Sequence, residues 1–156
     1  MTPATISPLF IAAGQILVME RSDVIRKLKR LLAGQDFVSH AYLFGSVAEG
    51  KAGPLSDIDV AVSLKQGMSV AGFAKKKMLL INAIAKALGT DNFDLVVIEG
   101  AKLSMKHNII NGIVLKDGPQ RLDEEVTIMD AYLDRRHYDE IYDSALMDRI
   151  AARGLL

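Results

Sequence analysis

The chain has 156 residues, 50% of them hydrophobic and 24% charged, which suits one domain around a single apolar core and excludes a disordered chain. Its 19 basic and 19 acidic residues cancel to a formal net charge of zero, which argues against a protein whose main task is gripping long DNA or RNA. With no cysteine, disulfides, thiol nucleophiles and thiolate zinc sites are excluded, and a cytoplasmic setting fits.

Residues 1–20 read as an N-terminal extension. The apolar run Ile6 to Met19 lacks the basic start and small-residue cleavage site of a secretion signal. Ser7, Pro8, Gly14 and Gln15 interrupt it, so it is too short to cross a bilayer and no membrane anchor is expected. Met19 offers itself as an alternative start of translation. Ser22 is placed to cap a helix running to about Ala33, with Val24, Ile25, Leu28, Leu31 and Leu32 at helical spacing and Gly34 just past its end. Arg26, Lys27, Lys29 and Arg30 form its solvated opposite face.

Phe37 to Phe44 reads as a strand ending at Gly45-Ser46, and Val47 to Ser56, with Gly50, Gly53 and Pro54, as a loop. Ile58 to Leu64 forms the next strand, with Ile58, Val60 and Val62 on one face and Asp57, Asp59 and Ala61 on the other. From Val70 to Leu88 the apolar residues Phe73, Met78, Leu79, Ile81, Ile84, Ala85 and Leu88 predict a helix closed by Gly89. Phe93 to Ile98 reads as a strand opening on Asp94, Ala101 to Asn111 as a helix stopped by Gly112, and Ile113 to Leu115 as a short edge strand before a turn at residues 116–119. Residues 122–152 read as one or two amphipathic helices, covering the sheet or presenting a face to a partner. The pattern predicts a small α/β (α+β) domain, a mixed sheet flanked by helices, over residues 21–118, followed by a C-terminal helical segment at 119–156.

The informative constellation is Gly45-Ser46, ten residues, Asp57-Ile58-Asp59, then Asp94 at the start of another strand. Strand period two brings the Asp57 and Asp59 carboxylates together, and like charges that close need a cation to remain ionised. Magnesium fits, because it is bound through a few carboxylates and completed by water and substrate phosphates. Asp94 is placed to complete a two-ion site or to take a proton from an attacking hydroxyl. The Gly45-Ser46 turn offers backbone N–H groups and a hydroxyl to phosphate. A D-x-D pair alone is weak; joined to the glycine turn and the third acid it points to phosphoryl or nucleotidyl chemistry.

Leu43-Phe44-Gly45-Ser46 followed ten residues later by Asp57-Ile58-Asp59-Val60 resembles the G-S-x10-D-x-D pattern of polymerase beta-like nucleotidyltransferases. Phe93-Asp94-Leu95-Val96-Val97 resembles that superfamily's third-acid strand, and Asn111 to Leu115 the strand that follows it in the minimal (MNT) branch. The resemblance covers roughly residues 22–118. It implies that Asp57 and Asp59 ligate two Mg2+ ions, that Asp94 holds the catalytic ion and activates the acceptor, and that Gly45 and Ser46 bind the triphosphate of ATP. It further implies an antitoxin that transfers AMP to a tyrosine of a HEPN ribonuclease toxin, in a homo- or hetero-oligomer. The alternatives are a small-molecule nucleotidyltransferase of the aminoglycoside-modifying kind and an antitoxin that acts by binding alone. One departure stands out: where many minimal members have arginine after Gly-Ser, this chain has Val47, leaving Lys51 or Lys75-Lys76-Lys77 as candidates for its role. Arg135 and Arg136 abut His137, without the arginine-to-histidine spacing of a HEPN toxin, so the toxin is expected on a separate chain, and His137 reads as a surface residue.

Overall fold

The computed structural model describes residues 19–53 and 56–154. The N-terminal extension, apart from its last two residues, and Pro54 of the predicted loop lie outside that range.

Strands β1 (Val38–Phe44), β2 (Ile58–Leu64), β3 (Phe93–Val97) and β4 (Ile113–Lys116) form one sheet in the order β3-β2-β1-β4. β1 pairs antiparallel with β2 and with β4, whereas β2 and β3 are parallel. Parallel neighbours need a crossover, which helix α3 (Val70–Leu88) supplies. β4 occupies a sheet edge, as its brevity predicts.

β1 is buried along its whole length because helices cover both faces of the sheet. On one face, Val24, Leu28 and Leu32 of α1 (Arg21–Ala33) and Leu80, Ile84 and Leu88 of α3 pack on Ala41, Leu43, Ile58, Val60 and Val62. On the other, Ile109 of α4 (Leu103–Ile110) and Ile128 of α5 (Arg121–Ala152) pack with Tyr42, Phe44 and Ala61. A bulge between Val38 and His40 lets Val38 share a core with Ala41 and Leu43, which strict alternation would forbid.

Several boundaries and faces differ from the sequence reading. α1 starts two residues earlier than a Ser22 cap allows: Glu20 is the N-cap, without a side-chain cap bond, and its carbonyl accepts from the N–H groups of Asp23 and Val24. Gly45–Glu49, read as a turn and the start of a loop, forms a short helix, α2, ended by Gly50 in the left-handed region. On α3 the buried stripe is Leu80, Ile84 and Leu88, at four-residue spacing, while Met78 and Leu79 are exposed. β3 ends at Val97 because Ile98–Gly100 turns into a 3-10 helix, and α4 begins only at Leu103. Ser69 caps α3 by accepting from the Gly72 N–H, and Gly89 closes it at φ 70°, as expected of a glycine C-cap.

Residues 121–152 form a single helix about 48 Å long. Only its first part is held against the domain. Among the described residues no helix is long and apolar enough to cross a membrane.

Candidate active site

The sheet brings the predicted residues to one end. Asp59 is the second residue of β2 and lies in register with Phe44 of β1 on one side and Asp94 of β3 on the other. Residues in register on neighbouring strands point to the same face, so Asp94 and Asp59 sit side by side, with the Phe44-Gly45 corner next in the row. Asp57 precedes β2 instead of forming part of it and is exposed. Its approach segment is tied down at both ends: Gly53 N–H donates to Ser56 Oγ (2.9 Å), Asn92 Nδ2 donates to the Ser56 carbonyl (3.4 Å), and the Ile58 N–H donates to the Asn92 carbonyl (3.2 Å). The segments leading to Asp57 and to Asp94 are thereby joined.

Electrostatics mark the row. Burial pushes the Asp59 carboxyl above its ordinary range, and the charges of Asp94 and then Asp57 push it further the same way. Among the described residues no three His, Cys, Asp or Glu side chains converge closely enough to form a complete metal cage. An incomplete oxygen donor set whose members repel one another suits Mg2+, which retains waters and takes its remaining ligands from substrate phosphate. Calcium-type or zinc-type cages ask for more than these residues offer.

Gly45 locks the turn to this row. Its φ is +73°, in the left-handed region, and a Cβ built on it would strike Asp59 Oδ2. Only glycine lets the backbone lie this close to the carboxylate. Ser46 follows at the first turn of α2, where backbone N–H groups have no helical acceptor. At the far end of α2, an Arg21 guanidinium nitrogen donates to the Ala48 carbonyl and the Lys51 N–H to the Ser46 carbonyl, which holds the short helix in place.

The cationic residues considered beside the site are separated by the fold. Lys76 Nζ stands 5.0 Å from the centre of the Phe37 ring, at the opposite end of β1 from Gly45. A seven-residue strand spans about 23 Å, which takes the Lys75–Lys77 cluster out of reach of a phosphate at Gly45. Lys51, paired with Glu49 at 3.3 Å, remains on the site's side. His137 is exposed, as its surroundings predicted.

Two features escaped the sequence. A cavity of about 350 Å³ opens beside the Gly45 corner, lined by Phe44, Gly45, Ala48, Glu49, Asn108, Asn111, Gly112 and Ile113. Two asparagines three residues apart signal nothing until the helix that carries them is docked. The second is a polar network under α5. His40, fully buried on β1, has Nε2 2.7 Å from Glu124 Oε2. Tyr42 donates to Glu125 Oε1 (2.6 Å), which also receives Arg121 Nη1 (2.6 Å).

Comparison with known proteins agrees with this geometry. The family model described as Polymerase beta, Nucleotidyltransferase matches residues 26–121. A search of curated protein sequences found no significant match. Among solved structures, a toxin–antitoxin with AMP-PNP superposes with a TM-score of 0.57 at 21% identity, covering 83% of this chain and 99% of that one. A complex of a tri-AMPylated Shewanella oneidensis HEPN toxin with an MNT antitoxin gives 0.55 at 21% identity over 82% and 99%. The toxin–antitoxin MntA-HepT gives 0.54 at 20% identity over 82% and 99%. The likeness to these structures is one of fold. The family model spans most of the chain and both motif strands, and on that ground the chain belongs to the polymerase beta nucleotidyltransferase family.

Proposed function

We propose that the protein is a Mg2+-dependent adenylyltransferase that moves AMP from ATP to a tyrosine hydroxyl of a HEPN-type toxin, and so acts as an antitoxin in the cytoplasm. The observation that carries the chemistry is the row Asp94, Asp59, Gly45, in which the two acids are in register and the glycine backbone rests on the middle carboxylate.

Each residue then has a task. Asp57 and Asp59 hold the metal, Asp94 adds a ligand and accepts the proton, and the N–H groups and hydroxyl at Gly45-Ser46 hold the triphosphate. Mg2+, when bound, supplies the positive charge that offsets the triphosphate and the acids. The acceptor oxygen forms a bond to the α-phosphorus, the bond from that phosphorus to the β-phosphate oxygen breaks, pyrophosphate departs, and the hydroxyl proton passes to Asp94. The raised position of Asp59 means that the site is electrostatically poised for a cation.

The partner is supported by two observations. Proteins similar in fold include a tri-AMPylated HEPN toxin's MNT antitoxin and a toxin–antitoxin with AMP-PNP. The far half of α5 also carries Tyr138, Ile141, Tyr142, Leu146 and Met147 exposed, a surface suited to another protein.

The deciding experiment is intact-mass spectrometry of a HEPN partner incubated with this protein, ATP and Mg2+, alongside Asp57→Asn and Asp59→Asn. An AMP-sized increment that both variants lose, with rates down roughly 10³-fold or more, is the expected result. A tight complex without any increment would instead mean neutralisation by binding.

A further inference from the structure

A formal net charge of zero conceals how the charges are sorted by the fold. α1 holds five Lys and Arg against one acid, Asp23, and α3 holds four against none. These two helices pack together on one face of the sheet. On the other face α4 and α5 carry five Lys and Arg against nine acids. A partner meets each face separately, because at physiological salt a charge is screened within about 8–10 Å. The faces also differ in how their cations are satisfied. On α5, Arg121, Arg135 and Arg136 each pair with a carboxylate one turn away. On α1 and α3, among the described residues, only Arg26 makes a side-chain ion pair, with Asp23.

Arg26 and Arg30 are exposed one turn apart on α1, and Lys75 and Lys86, close to three turns apart, share the exposed side of α3 about 16 Å from each other. The basic surface continues around the end of the sheet. Lys76 Nζ stands 5.0 Å from the centre of the Phe37 ring, the Lys65 N–H donates to the Phe37 carbonyl (3.0 Å), and Lys116 Nζ donates to the Gln35 carbonyl (2.7 Å). Three lysines from different elements thus gather at the link between α1 and β1. Burial, and then the charge of Lys65, hold the Lys116 ammonium below its ordinary range, with Asp36 acting the other way. Like charges kept this close favour an anion between them. The cluster lies about 23 Å along β1 from the acids, so the surface is separate from the active site.

We infer that α1, α3 and this end of the sheet form a docking surface for the phosphate backbone of a single-stranded nucleic acid, a role that does not rest on nucleotidyl transfer. Rows of cations without acid partners suit a polyanion, whose bound counterions they displace. Both helices lie against the sheet, so neither projects into a duplex groove to read bases, and the contact is independent of sequence. A duplex, with a persistence length of about 500 Å, meets only the helical face, whereas a single strand bends round the corner to Lys65 and Lys116 as well. A bilayer fits less well. Met78 and Leu79 are exposed beside the lysines, but Leu80, Ile84 and Leu88 face the core, which leaves little apolar surface to insert.

Fluorescence anisotropy of the full chain with a short labelled RNA of mixed sequence tests this. Binding is expected at low salt, weakening with a log–log slope of about −3, the value for four or five neutralised phosphates on a single strand. Single-stranded DNA of the same sequence should bind comparably, and its duplex several-fold less. Lys75→Glu with Lys86→Glu, at exposed positions that leave the core intact, should weaken binding about tenfold or more, while Lys75→Arg with Lys86→Arg should bind as wild type. Arg135→Glu with Arg136→Glu makes the same change in net charge on the acidic face and should leave binding unchanged. No binding at low salt would overturn the docking surface, as would tighter binding of the duplex or equal losses from the two charge reversals. Binding to phosphatidylserine vesicles but not to RNA would assign the face to a membrane. Salt-sensitive self-association without RNA binding, lost in Lys75→Glu with Lys86→Glu, would assign it to the acidic α5 of a second copy, and either result overturns the proposal.

Discussion

A methyl group in place of one hydrogen on Gly45 would meet the Asp59 carboxylate, and it would force a side-chain-bearing residue to φ +73°. Gly89 separates the two effects, because its φ is +70° and nothing lies within 4 Å of its Cβ position. Gly89→Ala should cost only the left-handed strain, about 1–2 kcal/mol, and keep transfer activity. Gly45→Ala should cost at least as much and lower transfer roughly a hundredfold, because the acid and the phosphate turn can no longer occupy their places together. Denaturant unfolding and transfer assays on the two variants check this; equal activities would mean that the Gly45–Asp59 contact has no part in function. Asp59 gives the complementary case. A carboxyl raised in the folded state contributes stability below its unfolded value that is lost as pH rises through the folded one, so at neutral pH the ionised Asp59 opposes folding in the absence of metal. Asp59→Asn should therefore abolish transfer yet raise the metal-free Tm, by about 2 °C for a chain of this size, and remove most of the stabilisation that Mg2+ gives the wild type. A lowered metal-free Tm would show that the carboxylate serves the fold.

At the scale of elements, strands were legible because β1 to β3 are short apolar runs between glycine-rich or polar breaks, and the third acid marked the start of β3. α2 was not, since five residues that open on one glycine and stop at another carry no period. The α3 face was misjudged for a related reason: an alanine-rich helix with Met78, Leu79, Leu80 and Ile81 in succession offers several stripes, and docking on the sheet and α1 selects Leu80, Ile84 and Leu88. Motif acids could be found from spacing, whereas Asn108, Glu49 and the His40–Glu124 contact required elements distant in sequence to meet. That contact ties β1 to α5. The His40 ring beside Glu124 holds the carboxyl below its usual range, outweighing burial. A depressed folded value means that Glu124 contributes stability above the ordinary carboxylate range, lost as pH falls through the lower folded value. Glu124→Gln should be less stable than wild type at pH 7, by about 1–2 kcal/mol, and equal to it in strong acid. Urea unfolding across pH checks this, and a difference that persists unchanged into acid would assign the loss to packing.

On the scale of the whole molecule, α5 joins a domain it helps to build to a surface the domain does not cover. Five helical turns are 18 residues, so Glu124, Ile128 and Tyr132 share one angular position with Tyr142, Leu146 and Ile150. The first three lie against the sheet and α4: Glu124 touches His40, Ile128 is buried, and Tyr132 stacks on His107 with ring centres 3.7 Å apart and planes 8° from parallel. The same stripe then runs on beyond the domain, where Tyr142 is 61% and Leu146 43% exposed. An isolated helical half of this length is marginal in water, and its apolar stripe has most to gain from another protein. The double substitution Tyr142→Ser and Leu146→Ser should leave Tm within about 2 °C of wild type, as exposed positions usually do, and leave ATP binding unchanged. Its complex with a HEPN partner should weaken at least tenfold, the loss expected when two anchoring side chains are removed from an interface. Size-exclusion chromatography with calorimetry distinguishes the outcomes. A complex of wild-type strength would place the partner elsewhere, whereas a fall in Tm without the partner would mean that the arm packs on its own chain in solution.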